Sequence, residues 1–228
     1  MTVLTAIQSA ILRLSLAPET AIFASTERIA IEMVDLVNEV ATDIAKSQDW
    51  RNLTAIGSLT GGGETHALPV DFDRMVLASD IDNASSWFWG YQPFNSVNDW
   101  MRFKSGGYAA VSPGGWIILG GEFQFYPAIS GAAQFPYIRK TWAKDTLGAV
   151  KGAFTDDSDT FVLDERLLTL GLIWRYQAQK GDPYSESLAT YETALAQAQS
   201  RDKGARVLRT PTRSGFYGRL AYSGYPIG

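Results

Sequence analysis

The chain has 228 residues, 46% of them hydrophobic and 19% charged, which suits a folded core of one large or two small domains and excludes a disordered or collagen-like chain. Its 20 Lys and Arg against 24 Asp and Glu give a net charge of −4, unlike a globally basic nucleic-acid binder, though a local patch stays open. No Cys and one His, His66, exclude disulfides, thiol nucleophiles, thiolate metal sites and any mechanism needing two imidazoles.

Residues 1–50 read as two helices, the first half of a helical bundle. The first takes Thr2 as its cap, carries Val3, Leu4, Ile7, Ile11 and Leu14 at helical spacing, and must end before Pro18. This opening run has no basic leader and contains Gln8 and Arg13, so it does not read as a targeting signal. No run in the chain reaches the roughly 18 apolar residues of a membrane span, and a soluble protein without a membrane partner is expected. The second helix begins near Ser25 or Thr26 and runs to about Ser47. Ile29, Met33, Leu36, Val37, Val40 and Ile44 form its apolar stripe, opposite Glu27, Glu32, Asp35, Glu39, Asp43 and Lys46.

Residues 51–155 read as an inserted antiparallel β unit. Residues 51–150 hold 13 of the 21 Gly, 5 of the 9 Pro and 5 of the 7 Trp, a density that breaks helices and favours turns and pleated surfaces. Candidate strands are Leu53–Ile56, Met75–Ser79, Trp116–Leu119, Glu122–Tyr126 and Tyr137–Trp142. Gly120-Gly121 separates two of them with a hairpin signal.

Residues 156–203 return to helix, completing a bundle of about four helices. Leu163, Leu167, Leu170 and Trp174 make one stripe, Gly181 stops that helix, and Asp182-Pro183 starts the next. Tyr184, Leu188, Tyr191, Leu195 and Ala198 continue as its stripe, and the short connection implies an antiparallel pair. The predicted class is therefore α+β: an antiparallel helical bundle with an inserted β unit and an extended C-terminal arm.

That arm, residues 204–228, follows a basic junction. From Arg201 onward six cations face Asp202 alone, a charge of +5, so residues 1–200 carry −9. Gly204, Pro211, Gly215, Gly218, Gly224 and Pro226 forbid a continuous helix, yet Val207, Leu208, Phe216, Tyr217, Leu220, Tyr222, Tyr225 and Ile227 are too apolar for a solvated linker. Extended, it would reach up to about 80 Å at ~3.3 Å per residue. It either folds back on its own subunit or lies on a partner, and a partner is the preferred reading. Arg206, Leu208, Arg209, Arg213, Phe216, Tyr217, Arg219, Tyr222 and Tyr225 are the candidate contacts.

Few residues point to chemistry. Gly61-Gly62-Gly63-Glu64 lacks the Lys-Ser/Thr ending of a phosphate loop and reads as a flexible turn, with His66 exposed beside it. Asp156-Asp157-Ser158-Asp159 does not match a calcium loop and reads as negative charge favouring the following helix N-terminus. Trp87, Trp89, Tyr91 and Phe94 form either a contact surface for a neighbour or tail component or part of a small β core. With 24 acids a glycosidase-like pair exists somewhere, but no spacing selects one. No catalytic residue, metal site or cofactor is expected. Carbohydrate or ligand binding by the Trp-rich unit is the alternative to a structural role, and a carboxylate-based lytic enzyme is a weaker one.

The run Leu163-Asp-Glu-Arg-Leu-Leu-Thr-Leu-Gly-Leu-Ile-Trp-Arg-Tyr, with Lys180-Gly181-Asp182, Tyr184 and Tyr191-Glu192, resembles the C-terminal helices of tailed-bacteriophage head-to-tail adaptor (connector) proteins. Leu68-Pro69-Val70-Asp71-Phe72-Asp73-Arg74-Met75, Ile138 to Trp142, and Asp49-Trp50 are similar to segments flanking the β unit of that family, and the resemblance covers about residues 20–203. It implies a virion structural protein, made in the host cytoplasm, that forms a ring, usually a dodecamer, under the portal protein. Such a ring extends the DNA channel, through which the genome passes without sequence-specific binding, and offers a platform to the next neck or tail protein. It also implies that the C-terminal arm docks on the portal.

Overall fold

The structure, a computed structural model, describes residues 2–77, 79, 81–83, 87–106, 114–129 and 131–202, with the side chains of 82, 83 and 87–90 not described. Among these residues are five α-helices and two sheets, antiparallel except for one strand pair. The chain is α+β.

Helix α1 (Val3–Arg13) is capped by Thr2, whose hydroxyl accepts from Thr5 N, and buries Val3, Ala6, Ile7, Ala10 and Ile11. It stops well short of Pro18, because Ser15 adopts a left-handed φ of 57° just past its end. Helix α2 (Arg28–Lys46) starts two or three residues later than Ser25 or Thr26 would place it, and Ser25 Oγ instead accepts from Glu27 N. Its stripe is buried as the spacing predicts, from Met33 through Ile44. The acidic face is less free than a solvated face would be. Glu32 pairs with Arg28 and, at 2.6 Å, with Lys180, while Glu39 and Asp43 both pair with Arg175.

Arg175 and Lys180 belong to helix α4 (Glu165–Lys180), capped by Asp164, whose carboxylate accepts from Arg166 N. Its buried residues run through Leu167, Leu168, Leu170, Leu172, Ile173 and Tyr176 and so surround the helix, which fits its position between α1, α2 and helix α5 (Ser185–Asp202). Gly181 ends α4 at φ 79°, the left-handed position its sequence signalled. Gly171 marks a close approach to α2: a Cβ there would lie 2.4 Å from Val40 Cγ1. Gly171→Leu is therefore expected to destabilise the fold by about 2–3 kcal/mol through overpacking, read as a lowered denaturant midpoint at unchanged slope.

The larger sheet comprises β1 (Thr54–Leu59), β2 (Gly63–Ala67), β3 (Phe72–Met75), β4 (Ile81–Asn83), β5 (Trp87–Pro93), β6 (Gly114–Leu119), β7 (Glu122–Ile129) and β8 (Ala133–Arg139). Its order is β1-β8-β4-β5-β6-β7-β2, with β3 also on β8. Although three strands separate β8 from β7, the rings of Phe135 and Phe123 stand 4.9 Å apart, so the sheet curls around its own aromatic core. Phe72, Tyr91, Trp116, Phe125 and Tyr137 fill the same interior. Tyr137 donates its hydroxyl to Asp71 Oδ1 at 2.8 Å; burial and that acceptor push its pKa up to about 12, which keeps it a donor. The Gly120-Gly121 hairpin forms, both residues at positive φ.

Two features depart from an all-antiparallel reading of this region. Helix α3 (Val97–Ser105), capped by Ser96, lies between β5 and β6 and carries the chain over so that they pair in parallel. The expected strand Met75–Ser79 is instead Phe72–Met75, because the backbone beyond it turns away and Leu77 N donates to Asp49 Oδ2 at 2.8 Å.

A second sheet, β9 (Ala143–Lys144), β10 (Val150–Lys151) and β11 (Thr160–Phe161), seals the helical core with Trp142, Phe154 and Phe161 packed edge to face. Between β10 and β11 lies the acidic cluster, and it does not serve the helix that follows, which Asp164 caps. The Asp159 and Asp157 carbonyls accept from Val3 N and Leu4 N at the start of α1, at 2.7 and 3.3 Å. Asp157 Oδ1 accepts from Ile22 N and Phe23 N in the α1–α2 loop. Asp159, 0% exposed, accepts from Thr155 N, Asp156 N and Lys151 Nζ.

Candidate interaction surface

Among the described residues no group of three or more His, Asp or Glu could hold a metal ion, and no helix is long and apolar enough to cross a membrane. His66 sits on β2 with its ring edge on Phe125 and its Nε2 3.3 Å from Gly63 O, which is a packing role. The surfaces able to meet another molecule are therefore of interest.

The aromatic stretch is divided by the structure. Trp87 and Trp89 lie on β5, their side chains outside the described set. Tyr91, 2% exposed, points into the curled sheet, its ring edge-on to Phe125 and its hydroxyl donating to Ala128 O. Phe94 is half-buried between Trp100 and Phe103, centroids 5.6 and 4.9 Å away, and fastens α3 to the sheet. Among the described side chains of this region, Val97 and Met101 on α3 are large, apolar and exposed to solvent. The sequence reading missed both. Its available signal was Ser96-Val-Asn-Asp99, a capping pattern confirmed by the Asp99 N to Ser96 Oγ contact, followed by Trp100 and Phe103 at helical spacing.

The nine arm residues, Arg206, Leu208, Arg209, Arg213, Phe216, Tyr217, Arg219, Tyr222 and Tyr225, lie outside the described residues. The point from which they depart is well defined. Asp202, the last residue of α5, accepts from Arg51 N at 3.1 Å and Gln48 Nε2 at 3.4 Å, and Gln199 donates to Ser47 Oγ. The end of α5 is thus pinned to the turn that follows α2.

Beside that anchor, two segments far apart in sequence meet. Arg74 donates from Nε to Asp49 Oδ1 at 3.1 Å and from Nη2 to Gln48 O at 2.9 Å, and pairs with Asp73 at 2.5 Å. Gln48, Asp49, Arg74, Met75 and Leu77 outline a groove of about 450 Å³ whose rim carries the exposed Leu77. Arg74→Ala is expected to cost about 1–2 kcal/mol, since its bonds are charge-assisted but partly solvated; a shallower loss in thermal unfolding would count against a joining role.

A helical core is thus joined to a curled sheet by side chains that hold distant segments together. The model of the SU10 adaptor protein family matches residues 1–215, and the chain belongs to that family, a bacteriophage structural adaptor. No curated protein matches the chain.

Proposed function

We propose that this protein assembles as a ring, dodecameric in the usual form, beneath the portal at the capsid vertex, extending the DNA channel and offering a platform to the next neck or tail protein. In this reading residues 204–228 dock on the portal, their arginines meeting acids and their tyrosines filling apolar slots. The observation that carries it is the family match over residues 1–215. The anchoring of α5 at Asp202 supports it, because a fixed exit lets a long arm search a limited volume around its docking site. The charge of −9 on residues 1–200 also suits a channel through which DNA slides, since few phosphate contacts means little counterion-release affinity.

The test is electron microscopy of portal-bearing capsids incubated with the purified protein. A closed ring of extra density below the portal is expected. Capsids that bind the protein at scattered sites, or bind none, would refute the assignment.

A further inference from the structure

A pocket of about 280 Å³ lies between the last turn of α2 and the strand end leaving β8. Lys46, Arg139 and Lys140 converge on it. Among the described residues Lys46 and Lys140 make no ion pair, and the hydrogen bond of Arg139 goes from Nη2 to the neutral Asn52 O. Asp73, the acid at the rim, is already held by Arg74. Two more polar atoms here are buried without partners, Arg139 Nε and Thr141 Oγ1. Elsewhere the cations that reach across the fold, Arg74, Lys104, Lys151, Arg175 and Lys180, each meet a carboxylate. Two lysines without an ion pair and an arginine bonded only to a neutral carbonyl therefore surround one concavity of an acidic body.

We propose that this pocket is a socket for a carboxylate side chain of a neighbouring copy of this chain. Lysine, arginine and threonine supply donors only or a hydroxyl free to turn, and an ionised carboxylate is acceptor-only, so their capacities match. Ala45 and Trp142 give the socket an apolar wall suited to the methylene stem of a glutamate. Size disfavours nucleic acid: the pocket admits one side chain. Each copy carries the complementary charge. Glu186 and Glu192 on α5 are exposed and unpaired among the described residues. Contacts in a ring are heterologous, so a basic socket on one face and acids on another can repeat around it until it closes. The inference rests on the ring reading above.

Replacing Lys140 with the photo-cross-linking residue p-benzoylphenylalanine in assembled particles, followed by mass spectrometry, tests it. A cross-link to a peptide of this same chain that carries an acidic residue is expected. A cross-link to portal, tail protein or DNA alone, or none in particles whose micrographs show the ring, overturns the socket and leaves the ring standing. Particles without a ring overturn both. As a second measure, the double variant Lys46→Glu, Lys140→Glu is expected to lower ring occupancy about tenfold at unchanged melting temperature. The milder Lys46→Gln, Lys140→Gln pair covers the case in which the charge reversal unfolds the chain. Wild-type occupancy in a folded variant rejects the proposal.

Discussion

Deleting residues 204–228 is expected to leave the protein folded and to abolish its attachment to emptied, portal-bearing capsids. The folded body supports the first half of this expectation. Among the described residues the two hydrophobic cores draw on side chains from Val3 to Ala198, and the contacts that Gln199 and Asp202 make at the end of α5 lie before the cut. Melting should therefore shift by no more than about 2 °C, the scale of a surface change in a domain of this size. The second half follows from composition. The segment holds eight large apolar residues and a run of arginines that the −9 body would attract weakly at best in physiological salt, where charges separated by more than about 8 Å are screened. Co-sedimentation with capsids measures it. Undiminished attachment by the truncated protein would show that docking is carried by the body.

The second large effect is expected at Asp159. Its carboxylate is fully buried, paired with Lys151 at 2.7 Å and bonded to two backbone N–H groups, so it knots the 155–159 turn that in turn holds α1 and the α1–α2 loop. Asp159→Asn keeps the volume but places an amide N–H₂ against donors and leaves Lys151 without its partner. The cost is about 2–3 kcal/mol, at the lower end for broken buried pairs because Lys151 is partly solvated, or roughly 4–12 °C in melting temperature. Acid should reproduce part of this. Burial by itself would raise the Asp159 pKa, but the Lys151 and backbone hydrogen bonds outweigh it and hold the group below its ordinary 3.8. A depressed folded pKa stabilises the fold above the unfolded value, and this contribution is lost as pH falls through the folded one. Wild-type stability should therefore drop below about pH 4, and the Asn variant should show a shallower acid limb. Parallel slopes for the two proteins below pH 4 would contradict the assigned role.

Local signals in the sequence were reliable where short-range chemistry decides the structure. Thr2 as a cap, the α2 stripe, Gly181 as a stop and the Gly120-Gly121 hairpin all act through neighbours within a few residues, and each stands in the structure as read. What was not legible depends on distant partners. Nothing near Asp157 indicates that its side chain will hold Ile22, 135 residues away, rather than the helix that follows it. The Phe72–Met75 strand ends where it does because Asp49 captures Leu77 N. Helix α3 was hidden by the glycine and proline around it, and with it the one parallel strand pair, which no local pattern encodes. The candidate contact residues divide the same way: the sequence left Tyr91 and Phe94 open between contact surface and β core, and the fold uses Tyr91 as interior packing and Phe94 to fasten α3, which only the curl of the sheet determines.

The hydrogen bonds from Val3 and Leu4 to the carbonyls of Asp159 and Asp157 carry a consequence for synthesis. The first helix leaves the ribosome long before the turn that receives it exists. At 5–20 residues per second, the roughly 150 residues in between take about 8–30 s to translate, during which an amphipathic N-terminus waits with its apolar stripe uncovered. Nascent chains stalled short of residue 159 should be the aggregation-prone species in the cell, and co-translational chaperones should engage the exposed stripe of α1.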